Sequence, residues 1–184
     1  MLNVHWNNYS FEENKKYLIL YIGNFSPPHK GHVQNIEPYF NIKNVEILMY
    51  LFGNEERHNV PIQVSFDILK IYLQNVSNIS VKQYDPSYKD VYSYKKIDKL
   101  LFIRGNENFN STIKNSFLQE YGNLIKKIRN KGILCDLLLL NRSVGISSTE
   151  LCKNSDNIEH FLPIYLNEKD IKDVKNLLKK INLK

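Results

Sequence analysis

Tyr21-Ile22-Gly23-Asn24-Phe25-Ser26-Pro27-Pro28-His29-Lys30-Gly31-His32 is the stretch from which the architecture of this chain is read. The apolar run Tyr17 to Ile22 is rich in aromatic and branched residues, follows Lys15 and Lys16, and stops at Gly23. Such a run reads as a strand buried on both faces of a parallel sheet. Gly23 permits a turn that other residues resist and lets a ligand approach the main chain. Pro27 and Pro28 cannot extend a sheet and stiffen the loop. From Gly31 onward Val33, Ile36 and Phe40 recur at helical spacing, so a helix begins near His29 to His32. A helix start there offers unpaired N–H groups and the positive end of the helix dipole to an anion. His29 and His32 add hydrogen-bond donors and, when protonated, positive charge. The segment reads as a place for phosphate. A single loop histidine is commonly plain surface; two of them, three apart after a Gly-x-Phe turn, favour the functional reading.

Outward from this stretch, strand and helix signals alternate. Val45 to Phe52 reads as a second strand, and Pro61 to Val76 carries a helical pattern through Val64, Phe66, Ile68, Leu69, Tyr72 and Leu73. Ile79 to Tyr84 is a short third strand, Asp90 to Ile97 a helix, and Leu100 to Ile103 a fourth strand ending at Arg104-Gly105. Ser111 to Lys131 is a long amphipathic helix stopped by Gly132. Ile133 to Leu140 is a fifth strand, Ser147 to Lys153 starts another helix, and Glu168 to Ile181 is the last. The alternation predicts an α/β protein: a parallel sheet of about five strands with helices on both faces. In such sheets ligands bind beyond the carboxyl ends of the strands, near the switch point. Three polar, Gly-containing segments follow strands, at 23–32, 104–108 and 141–149, and the topology brings them to one rim.

The chain has 184 residues, with 42% apolar and 24% charged, which suits one globular domain over 17–184 with residues 1–16 as an arm packed on it. No apolar run reaches the ~20 residues needed to span a bilayer, and the polar start with Trp6 and Tyr9 does not read as a secretory signal. Cys135 and Cys152 are too few for a disulfide framework, so a reducing, cytoplasmic location is expected. The net charge of +6 fits an anionic small molecule or nucleic acid. The first is favoured, because the basic residues are scattered and many lie on the last helix (Lys169, Lys172, Lys175, Lys179, Lys180) as a solvated face. The histidines and cysteines lack zinc-ligand spacing.

The second informative segment is Arg142-Ser143-Val144-Gly145-Ile146-Ser147-Ser148-Thr149-Glu150-Leu151. Three hydroxyls fall where a helix starts, and Ser147 with Glu150 three residues on is a capping-box pattern. Alone this is equally a well-capped helix. On the same rim as His29 to His32, the hydroxyls and N–H groups read as a grip for a triphosphate.

Together the two segments resemble the nucleotidyltransferase superfamily with a His-x-Gly-His motif. His29-Lys30-Gly31-His32 matches that motif, and Ile146-Ser147-Ser148-Thr149 is similar to the family's Ile-Ser-Ser-Thr motif, over a resemblance running from about Tyr17 to Pro163. The resemblance implies a Rossmann-like fold and transfer of a nucleotidyl group from ATP or CTP to a phosphorylated acceptor, with pyrophosphate released. It implies that His29 and His32 contact the phosphates, His32 at the α-phosphate, and that Ser147, Ser148 and Thr149 hold the β- and γ-phosphates. Gly23, Asn24, Phe25 and Gly31 would shape the nucleotide loop, with Ile146, Arg104, Gly105, Glu107 and Arg142 further around the nucleotide. Ser26, Arg57 and His58 are candidates for the acceptor. Mg²⁺ is implied as the companion of ATP, bound through phosphates and water. The implied partners are ATP and a phosphorylated small molecule, neither nucleic acid nor membrane, and a homo-oligomer is left open.

The acceptor is read three ways. Arg104-Gly105-Asn106-Glu107-Asn108-Phe109 resembles the Gly-x-Asp segment of nicotinamide and nicotinate mononucleotide adenylyltransferases, with Glu107 for Asp. Its Arg-Gly pair, and the tail 156–163, resemble pantetheine-phosphate adenylyltransferases. Arg142 to Ser148 is similar to a segment of cytidylyltransferases. A non-catalytic nucleotide-binding module is the reading from another class. The mononucleotide adenylyltransferase is preferred. Three departures stand out: Ser26 where many members have Asp, Cys152 then Lys153 where a basic residue follows the second motif, and Trp6 as the sole tryptophan. Lys153 can serve as a point charge but not as a bidentate arginine.

Overall fold

The computed structural model describes residues 2–52, 59–106, 111–141 and 146–181. Among them, six strands form one all-parallel sheet: β1 (Asn3–Trp6), β2 (Tyr17–Gly23), β3 (Val45–Leu51), β4 (Ile79–Gln83), β5 (Lys99–Asn106) and β6 (Leu134–Asn141), in the order β1-β6-β5-β2-β3-β4. The helices are α1 (Lys30–Gln34), α2 (Ile62–Tyr72), α3 (Lys89–Ser93), α4 (Ser111–Arg129), α5 (Ser148–Lys153) and α6 (Glu168–Lys179), with short 3₁₀ turns at Glu37–Tyr39 and Ser155–Phe161. None of the described helices is long and apolar enough to cross a membrane.

The sheet is buried on both faces because its strands alternate between two cores. Ile19, Ile47, Leu101 and Leu138 point to one core, completed by Leu69, Leu151, Val174 and Leu178 from α2, α5 and α6. Leu20, Leu48, Phe102 and Leu137 point to the other, under Phe117, Tyr121 and Ile128 of α4 and Val91 of α3. Every named strand residue is at most 2% exposed, so the period-2 alternation is invisible in sequence and the strands read as unbroken apolar runs.

Three elements differ from the sequence reading. The sheet has six strands rather than five, the extra one being β1, drawn from the segment read as an arm and paired in register with β6 from Asn3↔Asp136 to Trp6↔Leu139. The first helix is one turn long and gives way to a 3₁₀ turn, because Pro38 has no N–H for the carbonyl of Gln34. The helix expected over Asp90 to Ile97 is α3, only five residues long. By contrast, α4 ends as expected. Gly132 takes φ +79°, and the N–H of Ile133 returns to the carbonyl of Ile128 at 3.3 Å.

β2 lies at the centre, pairing with β3 on one side and β5 on the other. The chain runs outward from β2 to β4 and then crosses back to β5, so the strand order reverses between β2 and β5. This is the switch point at which a ligand crevice is expected beyond the carboxyl ends.

Candidate functional site

A cleft of about 410 Å³ opens at that switch point. Its size falls within the roughly 300–1,000 Å³ of small-molecule sites. One wall is the loop leaving β2: Gly23, Asn24, Phe25 and Ser26, then His29, Gly31 and His32 at the start of α1. Arg104 and Gly105 at the end of β5 form a second wall, and Ile146 to Thr149 ahead of and within α5 form a third. The three segments that follow strands in the sequence thus meet. Among the described residues no carboxylate lines the cleft, whereas Arg104 and two histidines do. That composition suits a polyanion. Of the other expected site residues, Arg57, His58, Glu107 and Arg142 lie outside the described residues.

The loop is built around ring packing. Phe25 takes φ +45° and is 2% exposed, folding its ring back over Gly23. A Cβ on Gly23 would stand 3.0 Å from that ring. The Phe25 ring meets Tyr21 at 4.9 Å and the edge of His32 at 4.9 Å. His29 and His32 stack, with centroids 3.6 Å apart and planes 27° from parallel. Gly31 makes that stack fit: a Cβ there would sit 3.1 Å from Cε1 and Nδ1 of His29 and 3.4 Å from Ile146. His29 is the N-cap of α1, and its main-chain N–H donates to Nδ1 of His32 at 3.2 Å. An Nδ1 that accepts places the ring proton on Nε2, so Nε2 is the donor of His32. Because α1 has only five residues, its macrodipole is small. Anion attraction rests on the side chains and local N–H groups.

The hydroxyls divide. Ser147 is the N-cap of α5, its Oγ accepting the N–H of Glu150 at 3.1 Å, which leaves its proton to donate. Ser148 Oγ donates to the carbonyl of Pro27 at 2.8 Å, joining segments 121 residues apart. Ser26 is 5% exposed, and its Oγ has no hydrogen-bond partner among the described residues. A buried hydroxyl without a partner is costly, and a ligand in the cleft would supply one.

Sequence reasoning missed Tyr21, Ile22 and Asn35 as cleft residues. Asn35 donates to the Tyr21 hydroxyl at 3.0 Å. The available signal was the position of Asn35, one turn after His32 on the same helix face. It also missed a second cavity of about 150 Å³ under α4, walled by Phe52, Phe102, Phe117 and Tyr121 and sharing Ile22 and Arg104 with the cleft. Burial and then the Glu120 hydrogen bond push the Tyr121 hydroxyl above the tyrosine range. The thiols stand apart from this chemistry. Burial pushes Cys135 up to about 11 and raises Cys152, so neither forms a ready thiolate. Lys153 closes α5 without lining the cleft.

The arrangement of strands is a fold shared with solved nicotinate mononucleotide adenylyltransferases. Solved structures show the likeness. A candidate nicotinate-nucleotide adenylyltransferase from Vibrio parahaemolyticus superposes with a TM-score of 0.57 at 17% identity, over 91% of this chain and 98% of that one. The nicotinic acid mononucleotide adenylyltransferase of Plasmodium falciparum superposes over 92% of this chain and 100% of its own. Complexed with NaAD it gives a TM-score of 0.56 at 15% identity; complexed with APC, 0.52 at 16%. Neither protein-family profiles nor curated protein sequences give a match. The likeness is therefore one of fold.

Proposed function

We propose that this chain transfers the adenylyl group of ATP to nicotinate or nicotinamide mononucleotide, forming a dinucleotide and releasing pyrophosphate. The observation that carries the reading is the meeting, in a cleft free of described carboxylates at the switch point, of His29-Lys30-Gly31-His32 with Ile146-Ser147-Ser148-Thr149. The fold neighbours supply the acceptor class, one of them having been solved with NaAD. A second cavity of about 150 Å³ under α4, walled by Phe52, Phe102, Phe117 and Tyr121, adjoins the cleft on the side of Arg104.

In this reading the acceptor phosphate oxygen attacks the α-phosphorus in line, the α–β bridging bond breaks, and pyrophosphate departs. No covalent enzyme intermediate is needed, so the protein positions the reactants and stabilises the spreading charge. The Nε2–H of His32 donates to the α-phosphate as its charge rises, with His29 stacked behind it. The Ser147 hydroxyl, Thr149 and main-chain N–H groups at 147–149 hold the β- and γ-phosphates. Arg104 is assigned to the nucleotide and Ser26 to the acceptor, with Arg57 and His58 as further candidates for the acceptor phosphate. No cluster of three or more His, Cys, Asp or Glu among the described residues is set to bind a metal. Mg²⁺, as the companion of ATP, would be held mainly by phosphate and water oxygens and would neutralise charge there. The protein acts in solution on small molecules.

A pyrophosphate-release screen tests the reading. It crosses ATP and CTP with nicotinate mononucleotide, nicotinamide mononucleotide, phosphopantetheine and glycerol phosphate. Release with ATP and a pyridine mononucleotide is expected. Release only with CTP, or only with phosphopantetheine, would replace the acceptor, and tight ATP binding without release would make the chain a binding module.

A further inference from the structure

The two residues before His29 have no N–H groups with which to be held. Pro27 and Pro28 are consecutive and donate nothing, so only their carbonyls are left to fix them. Both carbonyls are taken by hydroxyls from other elements. Ser148 Oγ donates to Pro27 O at 2.8 Å from the start of α5, and the Tyr72 hydroxyl approaches Pro28 O at 3.4 Å from the end of α2. Tyr72 is 1% exposed, and burial holds its hydroxyl in the protonated, donating form. The Ser148 bond is the shorter of the two, and it is the one that joins the two cleft segments. Beside it, Ile146 packs within reach of Gly31. A hydroxyl that gives its proton to Pro27 cannot give the same proton to a phosphate.

We propose that Ser148 is a positioning residue. Its hydroxyl latches the Pro27–Pro28 turn to the start of α5, so that the His29–His32 stack and the Ser147 segment form one rigid unit around the substrate. Ser148 acts through His29 and its main-chain N–H, while Ser147 makes the hydroxyl contact to phosphate. The catalytic arm of this inference rests on the adenylyl-transfer reading; the latch itself does not.

The test compares Ser148→Ala with Ser148→Thr, which keeps the hydroxyl. It uses steady-state pyrophosphate release, ATP affinity by calorimetry, and the ring-proton NMR signals of His29 and His32, which their stacking shifts. Ser148→Ala is expected to lower kcat about tenfold, as misplacement of a reacting group does, with ATP affinity kept within about threefold. The histidine signals should move towards unstacked values, and Ser148→Thr should restore both rate and signals. Unmoved signals with ATP affinity down about tenfold would overturn the latch and make Ser148 a phosphate ligand. Unmoved signals with unchanged kinetics would overturn it as well. If the wild-type chain releases no pyrophosphate with any acceptor, the transferase reading fails, and the histidine signals alone uphold or overturn the latch. Ser148→Cys, a weaker donor of similar size, takes the place of Ser148→Ala should the alanine variant not fold.

Discussion

Two polar clusters sit at opposite ends of the same sheet, and they are built on opposite rules. At the amino ends of β5 and β6, Asp136 is 2% exposed and is fully surrounded by donors. It accepts from the Tyr9 hydroxyl at 2.7 Å and Asn3 at 3.2 Å, and it pairs with Lys99 at 3.3 Å. His5 Nε2 stands 3.4 Å away without hydrogen-bond geometry. Burial and then the bond to Asp136 push the Tyr9 hydroxyl above the tyrosine range, so it remains a donor. At the carboxyl ends, the cleft leaves the Ser26 hydroxyl without a partner among the described residues and gathers two imidazoles and an arginine, whose guanidinium lies 3.9 Å from Glu120 outside the cleft lining. The first cluster spends its polarity on holding β1 and the segment behind it to the sheet. The second keeps polarity for something that is not part of the chain. The difference lies in Asp136, which gathers several donors, against the Ser26 hydroxyl, which has none among the described residues; density of charge alone would not show it.

The contrast can be broken at several points, from the largest effect to the smallest. Asp136→Ala leaves Lys99, whose side chain is 14% exposed, and the Tyr9 hydroxyl without their buried carboxylate, and should cost about 3 kcal/mol in denaturant unfolding, while the surviving folded protein keeps its turnover. Destabilisation below about 1 kcal/mol would show that the cluster does not anchor β1. His32→Ala should do the reverse. Loss of one donor to a charge-developing oxygen costs on the order of 100-fold in turnover, with circular dichroism unchanged; near-native turnover would remove His32 from its role. Gly31→Ala forces His29 off its stack by a few tenths of an ångström and should lower turnover about tenfold, with ATP affinity reduced less. Ser26→Ala removes a buried hydroxyl without a partner and should raise stability by about 1 kcal/mol while slowing turnover a few-fold. If Ser26→Ala were destabilising instead, the hydroxyl would be internally satisfied and the contrast with Asp136 would weaken.

The sequence made some of this legible and hid the rest for physical reasons. β2 and β3 are readable because burial on both faces leaves unbroken apolar runs, and α4 because nineteen residues give several turns of periodicity. β1 is hidden because four residues, two of them polar, pair with a single neighbour at the sheet edge. The two motif segments of the cleft are readable because each joins a strand end to a helix start with glycines, prolines or hydroxyls, and the pair fall on one rim. Tyr21, Ile22 and Asn35 are hidden because their contribution depends on which strand and helix they face. The Asp136 cluster unites residues 3, 9, 99 and 136, a juxtaposition no local window can contain. One sign of it was present: an aspartate inside the apolar run 133–140 must find partners.

Amide hydrogen exchange with and without ATP tests the central claim most directly, because it reads both clusters in one experiment. The account predicts slowed exchange concentrated at 23–32, 104–105 and 146–149, with residues 3–9 and 134–136 unchanged. Protection confined to the amino-end cluster, or no ATP-dependent protection at 23–32 and 146–149, would contradict the assignment of the switch-point cleft as the nucleotide site.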